Sequence, residues 1–250
     1  MTQSNNPKTR GGKTVYGASV GILMLETQFP RIPGDIGNAL SWPFPVQFRV
    51  VRGATPDNVV RGDATARVED FIEAGRELVA MGCDGIATNC GFLALLQDEL
   101  ADALGVPVAT SSLMQAPMMA ATLPKEQHVS VLTISAETLT DAHLKAAQVP
   151  EGTPVMGTDG GAEFTRAILG DEAEIDFDAC RTDLLQGADA LVQAHPRTGA
   201  ILLECTNMVP FAADIRAHVG RPVYSIHSMI TWFQAGLMPR RFSNHLDDWR

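Results

Sequence analysis

Cys90 and Cys205 occupy matching points of two similar halves of this chain. The first half reads Gly85-Ile-Ala-Thr-Asn-Cys90, a helical stretch, then Gly105-Val-Pro107-Val. The second reads Ala200-Ile-Leu-Leu-Glu-Cys205, a helical stretch, then Gly220-Arg-Pro222-Val. The two cysteines, the two glycines and the two prolines are each 115 positions apart, with no gap. Two thiols related in this way can face one cleft, where one removes a proton from a carbon and the other returns one to the opposite face. A thiol at a helix start sees the positive end of the helix and unpaired N–H groups, an environment that lowers a cysteine below its usual pKa of ~8.5. Pro210, just after Glu204-Cys-Thr206-Asn207, fits such a helix start. Gly91 allows close backbone approach to a ligand. N–H groups at both turns could hold a carboxylate and stabilise enediolate charge.

Other reactive side chains carry less pattern. Cys83 and Cys180 read as small buried apolar residues, and four cysteines with no C-x-x-C pair suit a reducing compartment. His227 follows the last strand, where it could meet substrate or be hydrogen-bonded within the hinge. His128, His143, His195 and His218 read as surface or capping residues, and Gly157-Thr-Asp-Gly-Gly161 as a plain turn lacking the lysine of a phosphate loop. Met114, Met118 and Met119 share one helix face and read as packing. Arg31 and Arg49 could supply positive charge for an acidic substrate or be solvated on loops.

The elements that must position the cysteines follow from periodicity. Val15–Leu25 and Val46–Val51 read as strands, and the turn-rich segment from Thr27 to Asp35 as an irregular loop. Arg67–Met81 is spaced as a helix that Gly82 stops. Strands are expected over 86–89, 106–109, 129–134, 200–204 and 222–225, and helices over 92–104, 163–169 and 177–194. Alternation of this kind predicts an α/β fold with mostly parallel sheets, and the duplication favours two Rossmann-like lobes over one long sheet. The expected division is a disordered leader at 1–13, one lobe of 14–115 plus 229–250, and a second of 116–228. Ligands of such sheets bind beyond the carboxyl ends of the strands, where both cysteines fall.

Composition narrows the partners. The chain has 250 residues, 45% hydrophobic and 19% charged, with a net charge of −10. That balance argues against nucleic acid, whose binding draws on clustered Lys and Arg. No run of about 18 apolar residues suggests a membrane span, and the polar first 13 residues do not resemble a secretory signal, so a cytoplasmic location is expected.

Leu203-Glu-Cys205-Thr-Asn207 is similar to the Cys-Thr-His or Cys-Thr-Glu segment of the aspartate/glutamate racemase superfamily. Thr88-Asn-Cys90-Gly-Phe92 departs from the Cys-Asn-Thr motif of the amino-acid racemases and resembles the Asp-Cys-Gly-Phe stretch of the algal-type dimethylsulfoniopropionate lyases. Gly21-Ile-Leu23, the loop from Pro30 to Asp35 and Val131-Leu-Thr133 point to the same branch, so the resemblance runs from Tyr16 to about Leu237. It implies two lobes related by a pseudo-twofold axis, an active site in the cleft between them, no cofactor and a homo-oligomer. It implies Cys90 and Cys205 as the acid/base pair, with Asn89, Gly91, Thr206 and Asn207 binding the substrate carboxylate. Thr27, Thr133 and Ser135, at other strand ends, are further candidates. The leading expectation is a racemase or epimerase of a small carboxylate or amino-acid-like substrate. The alternatives are a lyase expelling a β-leaving group and, in another class, a non-catalytic two-lobed binding protein. A decarboxylase fits less well, because the enzymes of that kind keep one of the two cysteines.

Overall fold

The computed structural model describes residues 10–242. Most of the expected leader, and the end of the first lobe beyond residue 242, lie outside them. Lys13, the last residue of that leader, is pinned by its Nζ to the Gly82 carbonyl at 2.9 Å and to Asp84 at 2.6 Å.

Among the described residues, eight parallel strands form two four-stranded sheets with the same order. In the first, β1 (Val20–Leu25) and β3 (Gly85–Thr88) are central, flanked by β2 (Val46–Val51) and β4 (Val108–Ala109). In the second, β5 (His128–Thr133) and β7 (Thr198–Leu203) are central, flanked by β6 (Val155–Gly157) and β8 (Val223–Tyr224). Every residue of β1 and β7 is buried, as expected for parallel strands covered on both faces. The fold is α/β and two-lobed. The first strand is shorter than its apolar run, because Val15 bonds to the Met81 carbonyl and Gly17 turns the chain at φ 89° before β1 begins.

The helices are α1 (Val68–Met81), α2 (Gln97–Leu104), α3 (Ala116–Thr122), α4 (Asp141–Ala146), α5 (Phe164–Leu169), α6 (Phe177–Ala194), α7 (Ala212–Val219) and α8 (Ile226–Leu237). Phe71, Ile72 and Leu78 of α1 are buried against the first sheet, and Gly82 ends the helix in the left-handed region. The α8 helix returns from the second sheet to the first. Its Ile226, Met229, Ile230 and Phe233 pack with Val20, Ile22, Ala87 and Ala109, residues of β1, β3 and β4. Among the described residues, no helix is long and apolar enough to cross a membrane.

The duplicated halves match element by element. Cys90 precedes six residues of 3₁₀-helix (Gly91–Leu96), then the eight residues of α2, then Gly105 at φ 63°. Cys205 precedes six residues of 3₁₀-helix (Thr206–Phe211), then the eight residues of α7, then Gly220 at φ 66°. Two 3₁₀ turns therefore replace the start of the α-helix expected over 92–104, and the same turns follow Cys205. Both glycines hold the left-handed stop that a residue with a Cβ resists.

Candidate active site

Because β3 and β7 end at equivalent points, Cys90 and Cys205 emerge on matching sheet edges and line one cavity between the lobes. Its polar lining comes mainly from the strand-end turns: Asn89, Cys90, Glu204, Cys205, Thr206 and Asn207. Its apolar lining includes Leu25, Phe92 and Ile134, with Phe29, Pro56, Val60, Ile168 and Leu169 from covering segments. About 30 Å³ is free, room for a water or two but not for a substrate. The Thr27–Asp35 loop is the natural cover, because its Gln28 N–H reaches Asp171 of the opposite lobe at 2.8 Å.

The loop also carries charge into the site. Arg31 donates to Thr27 Oγ1 at 2.9 Å and to Asp35 at 2.8 Å, and its guanidinium lies 4.5 Å from the centre of the Phe29 ring. It is the one cationic side chain of the described cavity lining. Asp35 in turn accepts from Asn207 Nδ2 at 2.7 Å, tying the loop to the Cys205 turn. Arg49 lies elsewhere, paired with Glu77.

The predicted site residues divide. Asn89, Gly91, Thr206, Asn207 and Thr27 line the cavity with the cysteines. Asn89 Oδ1 is committed to the Leu25 N–H at 2.7 Å, which leaves its amide nitrogen without a partner among the described residues. The Thr206 hydroxyl is committed across the lobes to the Asn89 carbonyl at 2.6 Å. Thr133 and Ser135 do not line the cavity. Thr133 instead donates to Glu204 Oε2 at 2.7 Å, and the Ser135 N–H reaches Thr133 Oγ1 at 3.4 Å. His227 stacks on Trp42 and bonds to the Ser41 carbonyl, and His143 caps α4 through Thr140.

The thiols are not spontaneously acidic, contrary to the expectation from their helix-start position. Burial, then the nearby Glu204 charge, pushes Cys90 up to about 12. The Phe92 and Leu93 N–H groups and Arg31 oppose this but do not win. Burial and Glu204 raise Cys205 well above its ordinary value, opposed by the Asn207 N–H. The helix start acts as expected, but desolvation is the larger effect for a group sealed in an apolar cleft.

Glu204 was not among the predicted site residues. It is fully buried, and burial raises its carboxyl to about 7 against the pull of the Thr133 hydroxyl and the Ile134 N–H. Among the described residues, its Oε1 has no hydrogen-bond partner. A signal existed in the sequence. An acid ends the otherwise apolar run Ala200-Ile-Leu-Leu-Glu204, at the position that Asn89 holds in the first half.

Comparison with known proteins follows the same lines. No family model matches the chain. An unliganded arylmalonate decarboxylase structure covers 91% of this chain and 97% of its own, at TM-score 0.53 and 16% identity. Glutamate racemase RacE1 of Bacillus anthracis matches over 88% of this chain and 82% of its own, at TM-score 0.58 and 14% identity. The chain has the fold of the aspartate/glutamate racemase superfamily. In sequence, the similarity is to lyases. A dimethylsulfoniopropionate lyase of Durusdinium sp. clade D is 27% identical over 240 residues, spanning 93% of this chain and 79% of that protein. Relatives of the same name from Emiliania huxleyi are 24–29% identical. These relatives and neighbours of the racemase-fold chain are enzymes.

Proposed function

We propose that this protein is a lyase that needs no cofactor and eliminates a β-leaving group from a small carboxylate, with dimethylsulfoniopropionate or a close sulfonium analogue as substrate. One observation carries the reading: two thiols line a cavity with one cation, Arg31, among polar strand-end groups, under a cover of apolar side chains. Arg31 and the Asn89 amide nitrogen bind the carboxylate, and Phe29 and Phe92 face the methylated sulfur. A cysteine thiolate takes the α-proton, the C–H electron pair becomes the alkene π bond, and the Cβ–S bond breaks with its pair leaving on sulfur. Acrylate and dimethyl sulfide result, and one proton passes to solvent.

Cys90 is the better base of the two, because the Phe92 and Leu93 N–H groups and Arg31 all favour its anion. The Cys205 thiol instead donates to Asn207 Oδ1 at 3.6 Å. The racemase reading, the leading expectation from sequence, draws on the same fact that both thiols line one cavity. The lyase relatives and the unequal surroundings of the thiols move the balance to elimination.

Proton NMR in D₂O separates the two. Dimethylsulfoniopropionate is expected to give vinyl signals, and Cys90→Ser is expected to lower that rate by about 10³-fold, within the range for loss of a general base. Deuterium entry at Cα of amino acids or hydantoins, with no alkene from the sulfonium compound, would replace the lyase reading with racemisation. Unchanged rates in both Cys90→Ser and Cys205→Ser would remove thiol chemistry altogether.

A further inference from the structure

Glu204 is chemically unspent. It belongs to the Cys205 strand end, yet its side chain crosses to the other turn. A Cβ added at Gly91 would overlap Glu204 Oε1 and lie 2.7 Å from the Glu204 carbonyl oxygen. Oε1 therefore rests against the residue that follows Cys90. Oε2 is already an acceptor for the Thr133 hydroxyl, and Oε1 is buried without a partner among the described residues. Glu204 is one of the residues that line the cavity. The geometry assigns it a place for a proton, on Oε1, at the Cys90 turn.

We propose that Glu204 is the proton acceptor that arms Cys90, and that it then presents the same proton from Oε1 to the substrate carboxylate as enediolate charge develops. The assignment rests on the lyase reading only for its second half. In the first step the Cys90 S–H bond breaks, an O–H bond forms on Oε1, and the electron pair stays on sulfur. Net charge within the cleft is unchanged, so the step avoids placing a second anion in an apolar cavity. In the second, the neutral carboxyl donates a hydrogen bond and keeps its proton. After elimination the α-proton is on Cys90, and the carboxyl releases its own proton to solvent to reset the pair. The titratable or charged groups around Glu204 are Cys90 and Cys205 at the two turns, with Arg31 and Asp35 from the loop above. Thr133 contacts it from β5.

The reactive species is then a single protonation state, neutral Glu204 beside a Cys90 anion. Burial places the carboxyl near 7, below the thiol. The population of that state rises roughly tenfold per pH unit in acid and flattens once the carboxyl ionises, because both forms have then lost one proton. In Glu204→Gln no such flattening can occur, and the rise continues through pH 8 and 9. The measurement is the pH profile of kcat/KM for acrylate formation from dimethylsulfoniopropionate. The same profile for alkylation of Cys90 by iodoacetamide, read by mass spectrometry, needs no substrate. An alkylation profile as expected with no acrylate would sink the lyase reading and leave the proton acceptor standing. A Glu204→Gln profile parallel to the wild type in both assays would overturn the proposal, since a structural role moves the height and not the shape. Thr133→Val is a second probe. Losing the Oε2 hydrogen bond should move the flattening to higher pH, and an unmoved break there would also count against Glu204 as its source.

Discussion

The Cys90 and Cys205 turns share backbone, helix lengths and left-handed stops, but their side chains differ at each neighbouring position. Before the cysteine stands Asn89 in one and Glu204 in the other; after it, Gly91 in one and Thr206 in the other. Each turn leans on its counterpart. Thr206 donates its hydroxyl to the Asn89 carbonyl, and Gly91 leaves the space that Glu204 fills. The fold thus supplies two equivalent thiols, and four residues make them unequal. A reversible two-base reaction favours equal bases. A one-way elimination that expels a neutral sulfide needs one armed base and no acid, a demand that unequal thiols suit better than equal ones.

The largest effect expected from disturbing this relation is Gly91→Ala. The added methyl would overlap the carboxyl of Glu204 and its carbonyl oxygen, and backbone does not move aside as a flexible side chain does. Overpacking of this kind costs about 3 kcal/mol or more at the upper end of its range. Thermal unfolding is expected to drop by roughly 10 °C for a chain of this size. Gly91→Ala combined with Glu204→Ala should recover part of the loss, because one of the two overlaps is gone. No recovery would mean that the side chain is not what Gly91 accommodates.

Next in size is the effect of pH on stability. Glu204 is raised in the folded protein from an ordinary carboxyl value to about 7. Its contribution is therefore fully present below the unfolded value, near 4.5, and is lost as pH rises through about 7. The shift corresponds to roughly 3 kcal/mol across that window. Chemical denaturation at pH 5 and pH 8 should show stability falling with pH in the wild type. Glu204→Gln should flatten the difference between those two pH values. An equal fall in both proteins would assign the pH dependence to other groups.

Much of this was legible in the chain. The 115-residue register places both cysteines at strand ends, and the paired Gly105 and Gly220 stops follow from it. The bounds of β2 and of α6 are those their sequence predicts. The three residues of β6 carry too little pattern to read, and the segment from 229 is expected with the first lobe but not as the helix α8. The site was legible only as far as local sequence reaches. Glu204 meets Thr133 71 residues away and Gly91 from the other lobe, so its role exists only after the lobes close. The same is true of the thiols. Their position at helix starts is local and lowers their pKa, whereas the burial that raises it belongs to the assembled cleft.

The smallest effect tests the reciprocal contact. Thr206→Val keeps the shape of the side chain and removes the hydroxyl that reaches the Asn89 carbonyl at 2.6 Å. Thr206 is buried, so the orphaned carbonyl has no ready access to water. Leaving a buried acceptor unpaired costs about 1–2 kcal/mol, less than the overlap at Gly91. Thr206→Ser, which retains the donor, should lose less than Thr206→Val. Because the bond joins the two lobes beside both thiols, its loss should also widen the cleft and speed iodoacetamide labelling of Cys90 and Cys205. A Thr206→Val protein with wild-type stability and wild-type labelling would show that the two turns are held in register by packing alone, and that only the Gly91–Glu204 side of the comparison carries energetic weight.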